Sequence, residues 1–376
     1  MREILFVAGE VSGDLHAAGV ARALVARDAG YRLVGVGGDA MRDAGVELLE
    51  HVEQLAVMGL IEVLPHLARH WVLRGRLTRR IRSGNVALVI LVDYPTFNMT
   101  VAEAATVAGV PVLYYITPQV WAWGADRLAR LARTVTMAAP ILPFEERLLK
   151  DHKIDATFVG HPLMDRVSTM PDRAAARAAL GLDAADSVLV LFPGSRDQEI
   201  DRHLDIFIAT ARELQRRIPP LKVIVSVAPH VTLDPLRCPF PAVRAASFTA
   251  LRAADAALCK SGTTTLEAAV AGCPLVVAYR TSAITYAAAK WLVKIPNIGL
   301  VNVVAGRRIA PEFVQDALEP RAVADALQPL LNHASAERQT MIESLAEVRK
   351  ALGAPGAGER VATMAMALAA RGRHGR

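Results

Sequence analysis

Two loops in the second half of the chain combine residue types that can hold phosphate groups. Residues 192–196 read FPGSR, and residues 260–277 read KSGTTTLEAAVAGCPLVV. Each loop follows a short apolar run that predicts a buried strand, and each opens a predicted helix. Backbone N–H groups and hydroxyls at a helix start favour phosphate oxygens. The binding residues predicted here are Gly194, Ser195, Ser261, Gly262, Thr263 and Thr264.

Arg196 and Glu267 extend this pattern from a phosphate to a nucleotide. The guanidinium of Arg196 can bind a phosphate through two parallel hydrogen bonds. Glu267 lies one turn into the second predicted helix, where its carboxylate could accept hydrogen bonds from both hydroxyls of a ribose. No metal-binding motif lies nearby, so we predict neither a metal nor another cofactor. A nucleoside diphosphate bound in this way is typical of an enzyme that acts on nucleotide sugars.

Asp93 is the candidate general base of the first half. It ends the apolar run of a predicted strand in the sequence VILVDYPTFN. Burial at a strand end raises the pKa of a carboxyl group toward the range that suits a general base. The alternative is an aspartate that caps a helix beginning near Phe97.

The loop at residues 9–14, GEVSGD, follows the first predicted strand. It has neither the spacing of a dinucleotide-binding fingerprint nor that of a Walker A loop. Glycines allow the backbone to approach a ligand closely, and a carboxylate at a buried strand end usually has a function. Alternatively, Ser12 or Asp14 caps the following helix. The candidate binding residues are Gly9, Glu10, Ser12, Gly13 and Asp14.

Strand and helix patterns alternate along both halves of the chain. This alternation predicts an α/β fold with two doubly wound parallel sheets that face a cleft. Ligands of such sheets bind at the carboxyl ends of the strands, where the loops above lie. We predict an N-terminal domain at 1–165 and a C-terminal nucleotide-binding domain at 172–340. Helices at 341–370 are predicted to pack back on the first domain.

Composition narrows the function classes. The 376 residues are 53% hydrophobic, and the net charge is +6. The longest uncharged stretch, 104–125, is interrupted by Gly109, Pro111 and Pro118, so no membrane-spanning helix is predicted. The apolar run at the N-terminus is too short for a signal peptide, which predicts a cytoplasmic chain. Aromatic residues make up 5%, and RNA-binding motifs are absent, so nucleic acid is not predicted as a partner.

The segment at 55–82 is both apolar and basic. Its apolar residues include Ile61, Val63, Leu64, Leu67 and Trp71, and six arginines lie between positions 69 and 82. Such a segment is typical of a membrane interface. Each arginine near an anionic leaflet contributes about 1 kcal/mol. The alternative is a core helix with an exposed basic face.

The motifs AGEVSGD, LAVMGLIEVL, VDYPTFN, TPQVWAW, LFPGSR and KSGTTTLEAAVAGCPLVVAYR resemble the lipid-A-disaccharide synthase family. This resemblance implies a glycosyltransferase fold of the B type and a peripheral enzyme on the cytoplasmic face of the Gram-negative inner membrane, whose surface is anionic. It implies that UDP-2,3-diacylglucosamine and 2,3-diacylglucosamine 1-phosphate are joined into the lipid A disaccharide 1-phosphate, with release of UDP. A homodimer is consistent with the family.

The resemblance also assigns roles to residues. It marks Asp93 as the essential acidic residue, Arg196 as the essential basic residue, and Asn302 as a neighbour of UDP. Thr96 departs from the family pattern, because a second aspartate often lies there. Asp93 would take the proton from the 6-hydroxyl of the acceptor, and the attack would invert the anomeric carbon.

Two other classes stay open at this point. A nonhydrolysing UDP-N-acetylglucosamine 2-epimerase would share the two-domain architecture and the diphosphate loops. A non-catalytic nucleotide-binding, membrane-associated protein would keep the loops and tolerate the loss of Asp93.

Overall fold

Apolar strands that alternate with helices build two parallel sheets, as the sequence pattern predicts. The computed structural model describes residues 1–27, 30–54, 63–123, 125–228, 231, 233–282, 286 and 296–371, without the side chains of 63–68 and 122–126. The chain divides into two units, described separately below. Unit 1 comprises Met1–Asp165 and the chain from Gly353 onward, and unit 2 comprises Arg166–Leu352.

Within the described part of unit 1, six parallel strands form a sheet in the order β3-β2-β1-β4-β5-β6. The strands are β1 (Glu3–Ala8), β2 (Arg32–Gly37), β3 (Glu47–His51), β4 (Val86–Val92), β5 (Val112–Tyr115) and β6 (Met137–Ala139). The helices are α1 (Val11–Ala26), α2 (Asp39–Asp43), α3 (Val63–Arg82), α4 (Pro95–Val107), α5 (Val120–Trp123), α6 (Ala125–Thr134) and α7 (Glu145–Asp151). All residues of β1 and β4 are buried, because apolar clusters cover both faces of the sheet.

Unit 2 repeats this architecture, with six parallel strands among its described residues in the order β12-β11-β10-β7-β8-β9. The strands are β7 (Ser187–Phe192), β8 (Leu221–Ser226), β9 (Ala242–Val243), β10 (Ala256–Lys260), β11 (Leu275–Tyr279) and β12 (Glu312–Val314). The helices are α8 (Arg173–Ala179), α9 (Asp197–Arg217), α10 (Ser247–Ala253), α11 (Thr264–Ala271), α12 (Leu300–Ala305), α13 (Pro320–Leu331) and α14 (Ala336–Ala351). Strands β7 and β10 are hydrogen-bonded neighbours, so the loops that follow them emerge side by side.

The last described helix, α15 (Ala357–Arg371), belongs to unit 1. Its small apolar residues pack into the same cluster as α1. A Cβ atom at Gly358 would lie 3.0 Å from the backbone of Gly19, so the two helices approach closely. Helix α14 lies in unit 2 and packs against α11 and α12. The segment predicted to return to the first domain, 341–370, is therefore divided between the two units.

Two strand predictions are wrong. The short apolar run at 298–303 predicts a weak strand, but Leu300–Ala305 is helix α12. A short apolar run does not distinguish a buried strand from a buried helix. The apolar run at 156–159 predicts another strand, but of these residues only Ala156 forms a β-bridge, an isolated one with Ala138.

Candidate active site

In unit 2, both predicted phosphate loops line one cavity of about 530 Å³. Arg196 and its neighbours reach it from the end of β7, and Lys260 reaches it from the end of β10. Further lining residues come from the ends of β8 and β9. The predicted binding residues that line the cavity are Gly194, Ser195, Arg196, Gly262, Thr263 and Thr264. The sequence thus predicted the loops that meet around a common space.

The start of helix α11 forms one wall of this cavity. The helix begins at Thr264 with Thr263 as its N-cap, and no side chain caps it. The N–H groups of Thr265 and Leu266 already donate to the carbonyls of Gly262 and Thr263, so the N–H groups just before them, at the cavity, are the ones available to an anion. Ser261 is placed differently from its neighbours, because its hydroxyl donates to the carbonyl of Ile298 at 2.8 Å.

Glu199 holds the two loops of the cavity together. One carboxylate oxygen accepts from Lys260 Nζ at 2.7 Å, and the other accepts from the Ser195 N–H at 2.9 Å. Burial opposes ionisation of Glu199, but these hydrogen bonds outweigh it and lower the pKa of the carboxyl group. Gly194, with φ +148°, leaves room for Glu199, since a Cβ there would lie 2.4 Å from the Glu199 Cβ.

Neither Glu199 nor Lys260 was among the predicted site residues. A signal for Glu199 was present, because it lies three residues after the N-cap of α9, Arg196. A glutamate at that position characteristically turns back to bind backbone N–H groups at the helix start. Lys260 brings a second cation to the cavity beside Arg196. Arg244 also lines the cavity, so among its described lining residues three cations face the single carboxylate of Glu199 close to a helix N-terminus.

Glu267 and Asn302 already have partners within unit 2. The Glu267 carboxylate accepts from Arg166 Nη1 and from Ser247 Oγ, both at 2.7 Å. Ser247 lines the cavity, so Glu267 lies one hydrogen bond behind its wall. Asn302 is fully buried, and its amide binds the backbone of Ala310 and the side chain of Glu312. Nucleotide contacts of both residues stay predictions.

In unit 1, Asp93 lies at the carboxyl end of β4, as expected. Burial and, to a smaller extent, the charge of Glu10 raise the pKa of Asp93 above its ordinary value. Helix α4 begins at Pro95 with Tyr94 as its N-cap, and no side chain caps it. The alternative in which Asp93 caps this helix is therefore wrong.

The GEVSGD loop lies beside Asp93 but is arranged differently from the prediction. Helix α1 already begins at Val11, so Asp14 lies one turn inside it and does not cap it. Its carboxylate instead accepts from the N–H groups of Gly38, Ala40 and Met41, at 2.7–3.1 Å, and so caps the start of α2.

The remaining residues of this loop differ in how tightly they are packed. Glu10 and Ser12 are exposed. Gly13 is buried, and a Cβ there would make ordinary contacts, 3.5 Å from Ala8. Gly9 is the tight position of the loop, because its backbone packs against the ring of Tyr94.

Gly9→Ala should therefore destabilise the chain. The added Cβ would lie 2.2–2.5 Å from ring atoms of Tyr94, so the ring beside Asp93 must move. We expect a loss of about 1–3 kcal/mol in the free energy of unfolding, measured by chemical denaturation. Gly19→Ala on α1 is the matched control. It meets no atom within 4 Å and should be neutral or stabilising. Equal stability of the two variants would contradict the assigned packing.

The segment predicted to lie in a membrane interface is described only in part. Ile61 lies outside the described residues, and the same holds for the side chains of Val63, Leu64 and Leu67. The visible end of α3 buries Leu73, Leu77 and Ile81 in the core, whereas Trp71 and Val72 are 69% and 62% exposed. One face of the helix thus packs in the core, and another face exposes apolar side chains at the surface. Within the described ranges, no helix has the length and apolar character needed to cross a membrane.

Comparison with known proteins connects this geometry to a family. A sequence model described as lipid-A-disaccharide synthetase matches residues 4–357. The lipid-A-disaccharide synthase of Syntrophus aciditrophicus is 40% identical over 375 residues, covering 97% of each chain. That of Geobacter metallireducens is 39% identical over 370 residues, covering 96% of each chain.

Solved structures share the fold at much lower identity. The UDP-GlcNAc 2-epimerase of Neisseria meningitidis, bound to UDP-GlcNAc, aligns with a TM-score of 0.63 at 12% identity, over 98% of this chain and 100% of that one. The glycotransferase of kitacinnamycin aligns with a TM-score of 0.65 at 17% identity, over 98% and 99%. These likenesses confirm the predicted fold class, two Rossmann-like units of the glycosyltransferase B type, and carry no argument about activity. The family model and the full-length relatives do support a conclusion about activity. This chain belongs to the lipid-A-disaccharide synthase family and is a glycosyltransferase.

Proposed function

We propose that the chain catalyses one inverting sugar transfer, in which unit 2 binds the nucleotide of the donor and unit 1 supplies the general base. The donor is UDP-2,3-diacylglucosamine, the acceptor is 2,3-diacylglucosamine 1-phosphate, and the products are the lipid A disaccharide 1-phosphate and UDP. The observation that carries this proposal is the unit 2 cavity, where Arg196, Arg244, Lys260 and a helix start surround a space of about 530 Å³. This combination suits a nucleoside diphosphate.

The unit 2 cavity binds the UDP part of the donor. Arg196 and Lys260 supply positive charge to the diphosphate, and the N–H groups at the start of α11 supply hydrogen bonds. Negative charge grows on the departing UDP as the bond to the sugar breaks. Fixed donors and cations stabilise that charge without having to reorient during the reaction. Glu267 accepts hydrogen bonds from Ser247 and Arg166, and ribose hydroxyls can bind its carboxylate if Arg166 moves away.

Asp93 of unit 1 acts as the general base. Its carboxylate takes the proton from the 6-hydroxyl of the acceptor, and the oxygen attacks the anomeric carbon from the face opposite UDP. The raised pKa of Asp93 strengthens it as a proton acceptor, which supports this role. The GEVSGD loop is the nearest candidate surface for the acceptor, since the charge of Glu10 acts on Asp93.

One assay tests the reaction against its rivals. Purified protein is incubated with both diacylated substrates, and UDP release and the disaccharide are measured. Both products must form together, and only when both substrates are present. Conversion of UDP-N-acetylglucosamine alone would indicate an epimerase, and UDP binding without turnover would indicate a non-catalytic protein. Either result would overturn the proposal.

Both substrates carry acyl chains, so the enzyme must reach a lipid surface. We expect the exposed apolar residues of α3 to enter an anionic inner-membrane surface, with the arginines of the same helix near the headgroups. Arg74 lies over the ring of Trp71, 5.7 Å from its centroid, which joins the two kinds of side chain in one patch. The membrane surface, the cytoplasmic location and the homodimer remain predictions.

Replacing Trp71 and Val72 with serine should weaken binding to vesicles of anionic phospholipid by about tenfold or more, because burying one large apolar side chain contributes about 1.5–3 kcal/mol. Co-sedimentation measures the bound fraction. Polar replacements at Ile61, Val63, Leu64 and Leu67 should act in the same direction. Val107→Ser is the control, since Val107 is 75% exposed on α4. If Trp71 and Val72 can be replaced without loss of vesicle binding, these side chains do not enter the membrane.

A further inference from the structure

We propose that Tyr114 and Asn98 are positioning residues that hold Asp93 in its working orientation. This inference rests on the proposed role of Asp93 as the general base. It concerns two side chains with no place among the residues predicted from the sequence. Both lie beneath the loop that carries Asp93 and are fully buried.

The backbone at Asp93 adopts a conformation that must be held in place. Asp93 has φ +48° and Tyr94 has φ +51°, so two consecutive residues that are not glycine lie in the left-handed region. Such conformations are unfavourable for residues with a Cβ and persist only where surrounding contacts enforce them. They recur at functional sites, because they direct a side chain where a regular strand or helix would not.

The enforcing contacts converge on one atom, the carbonyl oxygen of Asp93. The hydroxyl of Tyr114 donates to it at 2.9 Å, and Nδ2 of Asn98 donates to it at 2.7 Å. Nδ2 of Asn98 also lies 3.2 Å from the carbonyl oxygen of Val7 and 3.3 Å from that of Val92. Asn98 thus ties the Asp93 peptide to the ends of β1 and β4. Rotating this peptide to a right-handed conformation would break both bonds to the oxygen.

Contacts of Tyr94 fix the other side of the same loop. Its ring packs on Gly9, and its hydroxyl lies 2.5 Å from Nε2 of His70 on α3. Hydrogen bonds from Tyr114 and Asn98 therefore fix the backbone of Asp93. Contacts with Gly9 and His70 fix the side chain of Tyr94, the next residue of the loop. The carboxylate of Asp93 itself accepts a hydrogen bond from the backbone N–H of Tyr94, so the orientation of the carboxylate depends on the same turn.

Tyr114→Phe is the sharpest test, because it removes one hydroxyl and leaves the ring in the core. We expect kcat to fall about tenfold, while KM for the donor and Kd for UDP stay within about twofold, since orientation of a base acts on the chemical step. Tyr115→Phe is the matched control. Tyr115 is the next residue of β5 and equally buried, but it packs in the cluster on the opposite face of the sheet. Its kcat should equal that of the parent enzyme.

A double variant separates positioning from general damage to the fold. In the Asp93→Asn background there is no base to orient, so adding Tyr114→Phe should change the residual kcat by less than about twofold. A further tenfold loss there, or equal kcat values for Tyr114→Phe and Tyr115→Phe, would overturn the positioning role. Full turnover of Asp93→Asn alone would instead overturn the proposed function of Asp93. Asn98→Asp, which faces the same carbonyl oxygens with a carboxylate, should lower kcat more than Tyr114→Phe does; a smaller effect would also count against the inference.

Discussion

Asp93→Asn should lower kcat by at least about 100-fold while UDP binding changes less than about twofold. The substitution keeps the size of the side chain and removes its ability to accept a proton, and a general base contributes about 10²–10⁴-fold to a rate. The proposed UDP site lies in unit 2, and Asp93 lies in unit 1. Steady-state rates of disaccharide formation and calorimetric titration with UDP measure the two effects. Loss of UDP affinity together with kcat would mean that Asp93 has a structural role.

The pH dependence gives an independent check on the same residue. A base works only when deprotonated, so kcat/KM should fall as the pH drops through the raised pKa of Asp93. Burial raises this pKa first, and the charge of Glu10 adds to it. Glu10→Gln removes that charge, so it should lower the pKa and move the acidic limb of the profile to lower pH. A limb that stays in place, or moves to higher pH, would exclude Asp93 as the titrating base.

Arg196→Ala should weaken UDP binding by about tenfold or more. A hydrogen bond to a charged group contributes about 1.5–3 kcal/mol, and the wide exposure of the Arg196 side chain, 75%, favours the lower end of that range. Because negative charge grows on UDP in the transition state, kcat should fall as well. Calorimetric titration with UDP gives the affinity, and product formation gives kcat.

Arg202→Ala is the control for this experiment. Arg202 is an exposed arginine on the same helix, α9, and is not among the residues that line the cavity. Its replacement changes the net charge equally, so a specific effect of Arg196 must exceed any effect of Arg202. Unchanged UDP affinity in Arg196→Ala would remove this residue from the site.

The sequence predicts the parts of this fold that depend on local pattern. Fully apolar runs such as those of β4 and β7 are characteristic of parallel strands covered on both faces. Once those strands are placed, their carboxyl ends mark the loops that carry Asp93 and Arg196. The fold class followed from the same alternation. Helix α12 was mistaken for a strand because six residues are too few for either period to be recognised.

Contacts between distant parts of the chain could not be predicted in this way. Glu199 bonds to Lys260 across 61 positions, and Asp14 bonds to Gly38 across 24. Nothing in the local sequence around Asp14 indicates that it serves α2 instead of α1. Asn98 and Tyr114 lie within apolar elements, so the local sequence predicts only that they are buried in the core. Their role becomes visible only when the left-handed turn at Asp93 and its carbonyl oxygen are located.

Unit 1 is formed from two separate stretches of the chain, because helix α15 follows unit 2 in the sequence. The larger part of unit 1 precedes unit 2 in the sequence, yet it buries Val361, Ala362 and Leu368, which follow unit 2, in the cluster that contains residues of α1. All of unit 2 is translated in between. During synthesis, α1 therefore keeps an uncovered apolar face until α15 has emerged from the ribosome, and a nascent chain that stalls before this point would leave that face open to aggregation or to chaperones.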